Sequence, residues 1–234
     1  MSIISTPQEV KYIEGKDNTG TIEVLGCYPN YGSTVGNSIR RVLLSSIEGA
    51  AVTAVKIEGA SHEFSAIDGI MEDVIQIILN LKQVRFRLHT EDIVKVSVKV
   101  KGEGDITAAD IKTSSDVEVV NPEQHIATIT DKKVELAMEI TVEKGIGYVP
   151  VEQQENREKE LGLIAIDAVY TPVKRVNYKV ENMRVGKRTD YEKVVLEIVT
   201  DGSLTPKEAF DESVSILVDQ FKSLASSNEE ENAE

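Results

Sequence analysis

The residues able to do chemistry are few and scattered along this 234-residue chain. Paired carboxylates, the raw material of acid–base catalysis, occur at Glu72-Asp73, at the N-terminal end of an apolar helical stretch. Negative side chains there complement the positive end of a helix dipole, a simpler role than proton transfer. His62, His89 and His125 stand far apart, with no ligand-like spacing. Gly102-Glu103-Gly104 lacks the third glycine of a dinucleotide turn, and no GxxxxGKS/T, HExxH or CxxC string occurs. Nucleotidyl transfer needs clustered aspartates around two metal ions, and no DxD string is present. The expectation is a protein with no catalytic residues, no metal site and no cofactor. An enzyme with a serine or carboxylate site fits least well.

Composition narrows the partners. The formal net charge is -14, and such a surface repels free nucleic acid, whose binding draws on Lys and Arg neutralising phosphates. One stretch reverses the sign: Lys174, Arg175, Lys179, Arg184, Lys187 and Arg188 face only Glu181. Two readings stay open for it, solvated charges on strand faces or docking against an acidic partner. Cys27 is the only cysteine, so no internal disulfide forms, which fits a reducing, cytoplasmic setting. The start lacks a basic stretch followed by an apolar segment, and no apolar run approaches the ~20 residues that span a bilayer. With 41% hydrophobic residues, the chain has enough apolar content for two domains.

The elements that hold these residues follow from periodicity. Strands are expected around Lys11–Glu14 and Thr21–Tyr28, then the turn formers Pro29-Asn30-Tyr31-Gly32. From Thr34 the apolar residues Val35, Ile39, Val42 and Leu43 share one helical face. Gly36 weakens that helix, and close approach of another helix is one reason to keep it. Thr53, Val55 and Ile57 alternate as a strand, and Ile70 to Leu81 reads as a helix with Asp68, Glu72 and Asp73 at its N-terminal end. Further alternating runs follow at Val84–Leu88, Val94–Val100 and Val134–Val142, the last expected to pair with Ile126–Ile129 as a hairpin across Asp131-Lys132-Lys133. Glu152–Glu160 has no apolar residue and reads as an exposed loop. Three more strands are centred on Ile164, Tyr178 and Leu196. The final helix starts with Thr205 as cap, Pro206 in the first turn and Glu208 completing a capping box. Phe210, Val214, Leu217, Phe221 and Leu224 then follow a heptad-like rhythm suited to packing along another helix or onto the chain's own sheet.

The segment Tyr31–Ser46, YGSTVGNSIRRVLLSS, resembles the signature of bacterial RNA polymerase alpha subunits. Ser61–Lys82, Ile106–Ile111, Gly147–Pro150 and Val185–Ala209 are similar to the same family in the right order, so the resemblance covers nearly the whole chain. It implies an α+β fold of two domains. A discontinuous dimerisation domain, 1–48 and 173–225, has two long helices packed on an antiparallel sheet; an inserted strand-rich domain spans 49–172, and 226–234 begins a disordered linker. The implied function is a homodimeric scaffold that nucleates binding of the catalytic beta and beta-prime subunits for DNA-templated transcription. The resemblance assigns the dimer to Val35, Ile39, Val42, Phe210, Val214, Leu217, Phe221 and Leu224, and beta or beta-prime contacts to Arg40, Arg41, Lys82, Arg184, Arg188 and Lys193. It implies no direct tight DNA binding by this region and no membrane contact. The chain departs from many relatives at Ile146, where they carry a basic residue, and at Ser33, where some carry His. Full-length members continue into a C-terminal DNA-binding domain, whose functions are not assigned to this chain. A rival reading from another class is a stand-alone acidic module for basic partners.

Overall fold

The structure is a computed structural model that describes residues 4–154 and 162–230. The fold is α+β, and the chain separates into two compact units, Met1–Ile47 with Pro172–Glu234, and Glu48–Thr171. The first unit opens with β1 (Glu9–Glu14), β2 (Thr19–Cys27) and α1 (Gly32–Ser45). The second holds β3 (Glu48–Ile57), α2 (Val74–Leu81), β4 (Phe86–Leu88), β5 (Val94–Lys101), β6 (Gly104–Thr107) and β7 (Ile111–Lys112). It continues through β8 (Val117–Val119), β9 (His125–Ile129), β10 (Glu135–Ile146), β11 (Tyr148–Val149), β12 (Leu163–Ala165) and β13 (Ala168–Val169). The chain then returns to the first unit with β14 (Val173–Val185), β15 (Arg188–Thr200) and α3 (Pro206–Glu230).

The first unit is an antiparallel sheet in the order β1-β2-β15-β14. Alternation turns Ile22, Val24, Val194, Leu196 and Ile198 to one face, where they pack with Ile39 and Leu43 of α1 and Ala209 and Phe210 of α3. The opposite face is ionic: Lys193 bridges Glu23 and Glu181, and Arg175 meets Glu197. α1 therefore buries Gly32, Gly36, Ile39 and Leu43, a face rotated from the expected one, and leaves Val35 and Val42 half-buried. Gly36 serves the sheet rather than a second helix. A Cβ there would lie 2.7 Å from Tyr178 Cδ2 and 3.1 Å from Val194 Cγ1. Gly36→Ala is expected to lower stability by ~1–3 kcal/mol through overpacking, although alanine favours an isolated helix by ~1 kcal/mol. Chemical denaturation decides the sign, and a stabilised variant would mean that α1 is free to shift off β14.

The second unit is built on the sheet β12-β3-β10-β5-β7. Val55, Ile57, Val96, Val98, Leu136, Met138 and Ile140 form its core with Val74, Ile77 and Leu81 of α2 and with Phe86. Two expectations are corrected here. β9 pairs with β6, while β10 pairs with β3 and β5, so Ile126–Ile129 and Val134–Val142 make no hairpin. The turn at Asp131 does form, with Val134 N–H donating to the Asp131 carbonyl, but it delivers the chain into a different sheet. α2 begins at Val74 rather than Ile70, because Asp73 caps it by accepting the Gln76 N–H at 2.8 Å. Glu72 stays outside the helix.

The capping box of α3 forms as the sequence indicates: Glu208 N–H donates to Thr205 Oγ1 at 3.2 Å and Thr205 N–H to Glu208 Oε2 at 2.9 Å. The helix runs on to Glu230, through 226–230 where an unstructured linker was expected. No glycine or proline interrupts that stretch, and adding residues to an existing helix is far easier than nucleating one. The rest of the linker expectation, 231–234, lies outside the described residues, as does the part of the Glu152–Glu160 loop at 155–160. Among the described residues no helix is long and apolar enough to cross a membrane.

Candidate subunit interfaces

α3 carries one apolar stripe through two environments. Its first turns belong to the chain's own core, with Ala209, Phe210 and Ser213 buried and Val214, Ile216 and Leu217 half-buried. Beyond them the same stripe emerges uncovered. Val218 is 42% exposed, Phe221 62% and Leu224 67%. Of the eight residues expected at a dimer seam, Ile39 and Phe210 are buried within their own unit, Val35, Val214 and Leu217 are half-buried beside the same core, Val42 is half-buried without joining that core, and Phe221 and Leu224 face outward. α1 and α3 are neighbours, so the half-buried and exposed groups lie on adjoining helices.

The arginines of α1 divide sharply. Arg40 is half-buried and its Nε donates to the Val176 carbonyl of β14 at 3.1 Å. Arg41 is exposed and forms no ion pair among the described residues. The N-terminus of α1 is satisfied from the sheet, since Gly32 N–H donates to Glu192 Oε2 at 2.7 Å. That carboxylate at a helix N-terminus was not identified from sequence; it lies 160 residues away, and no local spacing could show it.

Most of the other expected contact residues are already engaged. Arg188 forms two hydrogen bonds to the Asp190 carboxylate, at 3.0 and 2.7 Å, and its guanidinium lies 5.0 Å from the Tyr191 ring centre and 5.7 Å from that of Tyr28. The Asp190 carboxylate holds the guanidinium well above its ordinary pKa. Lys193 sits between Glu181 at 3.1 Å and Glu23 at 3.3 Å, and both carboxylates raise its pKa. Arg184 donates from Nε to the Gly186 carbonyl at 2.8 Å. Of the basic stretch, Lys174, Arg184 and Lys187 make no ion pair among the described residues, whereas Arg175, Lys179 and Arg188 do.

In the second unit Lys82 closes α2 and lies 3.9 Å from Asp167. Both border a groove of about 280 Å³ lined by Phe64, Ile78, Leu79, Val151 and Ile166 among others. Phe64 is 76% exposed. Leu79 does not stand out in the sequence, because six of the eight residues of α2 are apolar and several of its faces could be the one left open. Among the described residues no three His, Cys, Asp or Glu side chains are placed to hold a metal ion.

Residues 55–171 match the family model of the RNA polymerase Rpb3/RpoA insert domain. The chain is 48% identical to the DNA-directed RNA polymerase subunit alpha of Aquifex aeolicus over 219 residues, which cover 93% of this chain and 69% of that protein. It is 48% identical to the same subunit of Flavobacterium psychrophilum over 218 residues, 92% of this chain and 66% of that one. Against the subunit of Heliobacterium modesticaldum the identity is 53% over 192 residues, 82% of this chain and 60% of that one. The chain thus spans between 60% and 69% of the length of these three relatives. An inserted unit recognised by that model, set between two stretches of a sheet-and-helix unit and accompanied by this identity along the chain, makes it a member of the DNA-directed RNA polymerase alpha subunit family.

Proposed function

We propose that this chain is a non-catalytic assembly subunit of a DNA-directed RNA polymerase, in which two copies pair through α1 and α3 and the pair then receives the beta and beta-prime subunits. The observation that carries the reading is the stripe of α3, which leaves its own core at Leu217 and continues as exposed Val218, Phe221 and Leu224. Exposed apolar rows of this kind mark protein contacts, and a two-fold pair lets each row cover the other. Exposed Arg41 beside that seam, and the groove bordered by Lys82 in the inserted unit, are the surfaces offered to the larger subunits. The relatives are all named as polymerase subunits, which leaves the stand-alone acidic module without support.

The test uses the purified chain. Light scattering is expected to report twice the chain mass, and tagged chain should retain purified beta with or without beta-prime. With a net charge of -14, it should neither bind duplex DNA below micromolar concentration at physiological salt nor polymerise nucleotides by itself. Monomeric mass together with failure to retain beta would remove the assembly reading. Template-dependent synthesis by the pure chain would remove the non-catalytic one.

A further inference from the structure

Glu72 has an environment unlike that of the other carboxylates near α2. Its side chain is only 11% exposed. Oε2 accepts the Thr128 N–H at 2.7 Å, and Oε1 lies 2.9 Å from His125 Nε2. Burial raises its pKa, but hydrogen bonds with His125 and with the backbone amides of Thr128 and Glu72, together with the charge interaction with His125, hold it below the ordinary carboxylate value. The neighbouring backbone is tied to the same strand. Met71 N–H donates to the Thr128 carbonyl at 3.0 Å, and Thr130 N–H to the Gly69 carbonyl at 2.9 Å. Val74 N–H donates to the Ser65 carbonyl at 3.2 Å, which closes 65–74 into a loop with Phe64 at its neck.

This loop joins the exposed Phe64 to the start of α2, and Phe64 and α2 both line the groove. The N-terminal end of α2, a helix of eight residues, is held by burial of Val74 and Ile77 in the core and by the Asp73 cap, and Glu72 adds a tie to β9 from just outside it. We infer that Glu72 is a positioning residue for partner binding: by bridging Thr128 and His125 of β9 it sets where α2 and Phe64 stand, and so keeps the groove in the shape a partner reads. The inference rests on the assembly reading for the identity of that partner, the beta or beta-prime subunit. What matters is the reach of the side chain to two partners at once. A carboxamide of the same length can accept from the Thr128 amide with its oxygen and donate to a neutral His125 with its nitrogen. A shorter carboxylate keeps the charge and loses the reach.

Three variants of the full chain separate reach from charge: Glu72→Ala, Glu72→Asp and Glu72→Gln. Amide exchange at Met71 and Thr130 is expected to quicken by about tenfold or more in Glu72→Ala and Glu72→Asp and to stay within about twofold of the unaltered chain in Glu72→Gln. Retention of purified beta and beta-prime should fall in the same order while the mass of the dimer stays unchanged. If Glu72→Ala does not fold, Glu72→Asp against Glu72→Gln makes the same comparison. Exchange in Glu72→Asp equal to that of the unaltered chain, or Glu72→Gln as loose as Glu72→Asp, overturns the role. Faster exchange with undiminished retention of both subunits overturns the link to partner binding. Should the unaltered chain itself retain neither subunit, it is the assembly reading that fails, and the exchange data still decide whether Glu72 sets the loop.

Discussion

Phe221→Glu is expected to yield a folded monomer where the unaltered chain forms a dimer. Phe221 is outside the core cluster of its own unit and 62% exposed, so the substitution removes nothing the single chain needs. In the proposed pair the ring is covered. Full burial of a phenylalanine side chain contributes ~1.5–3 kcal/mol, and two-fold symmetry counts that loss twice. The carboxylate adds several kcal/mol more, because desolvating an unpaired charge is costly. Together these exceed what a dimer of micromolar affinity has to spare, about 8 kcal/mol at its standard state only when every contact is kept. Phe210→Ala is the control. It lies on the same stripe but is buried in its own unit, so it should cost ~3–5 kcal/mol of unfolding free energy. Light scattering with thermal melts separates the two: loss of mass with the melt retained for Phe221→Glu, a lowered melt for Phe210→Ala. A dimeric, fully folded Phe221→Glu means that the seam lies elsewhere.

The two phenylalanines also separate what is local in this sequence from what is not. The start of α3 was legible because a capping box is local: Thr205, Pro206 and Glu208 carry the whole signal within four residues. The division of its stripe was not. Phe210 and Phe221 share one spacing, and spacing says that both are covered without saying whether by the chain's own sheet or by a second chain. Gly36 was visible as an anomaly, but its cause, Tyr178 of β14, lies far along the chain. Strand identity came from alternation, whereas strand partners did not, which is why β9 was expected beside β10 and is found beside β6. In the sequence Glu72 is a helix-end charge beside Asp73. Only the tertiary structure brings His125 and the Thr128 amide to it.

The second large effect is expected at Arg41, and its size depends on how α1 divides its two arginines. Successive helical residues point ~100° apart, so Arg40 and Arg41 cannot serve the same surface. Arg40 turns inward and spends Nε on the Val176 carbonyl of the edge strand β14. Arg41 is exposed, without an ion pair among the described residues, on the helix that the resemblance links to beta capture. A guanidinium suits such a contact, since its planar fork can hold a carboxylate or several carbonyls while tolerating partial desolvation. Arg41→Ala should therefore leave the mass of the dimer unchanged and the melt nearly so, because surface substitutions of this kind shift stability by no more than ~0.5 kcal/mol. Its effect should fall on partner binding. Truncating one side of a desolvated charged hydrogen bond costs ~2–5 kcal/mol, enough to abolish retention of beta at micromolar concentration. Arg40→Ala should do the reverse, lowering the melt by the ~1–3 kcal/mol of an unsatisfied carbonyl and weakening beta binding only as far as β14 shifts. Measured side by side, dimer mass, melting and beta retention give each arginine its own signature. Undiminished retention by Arg41→Ala with an intact dimer removes it from the beta contact, and loss of the dimer in that variant moves it to the seam between the two copies.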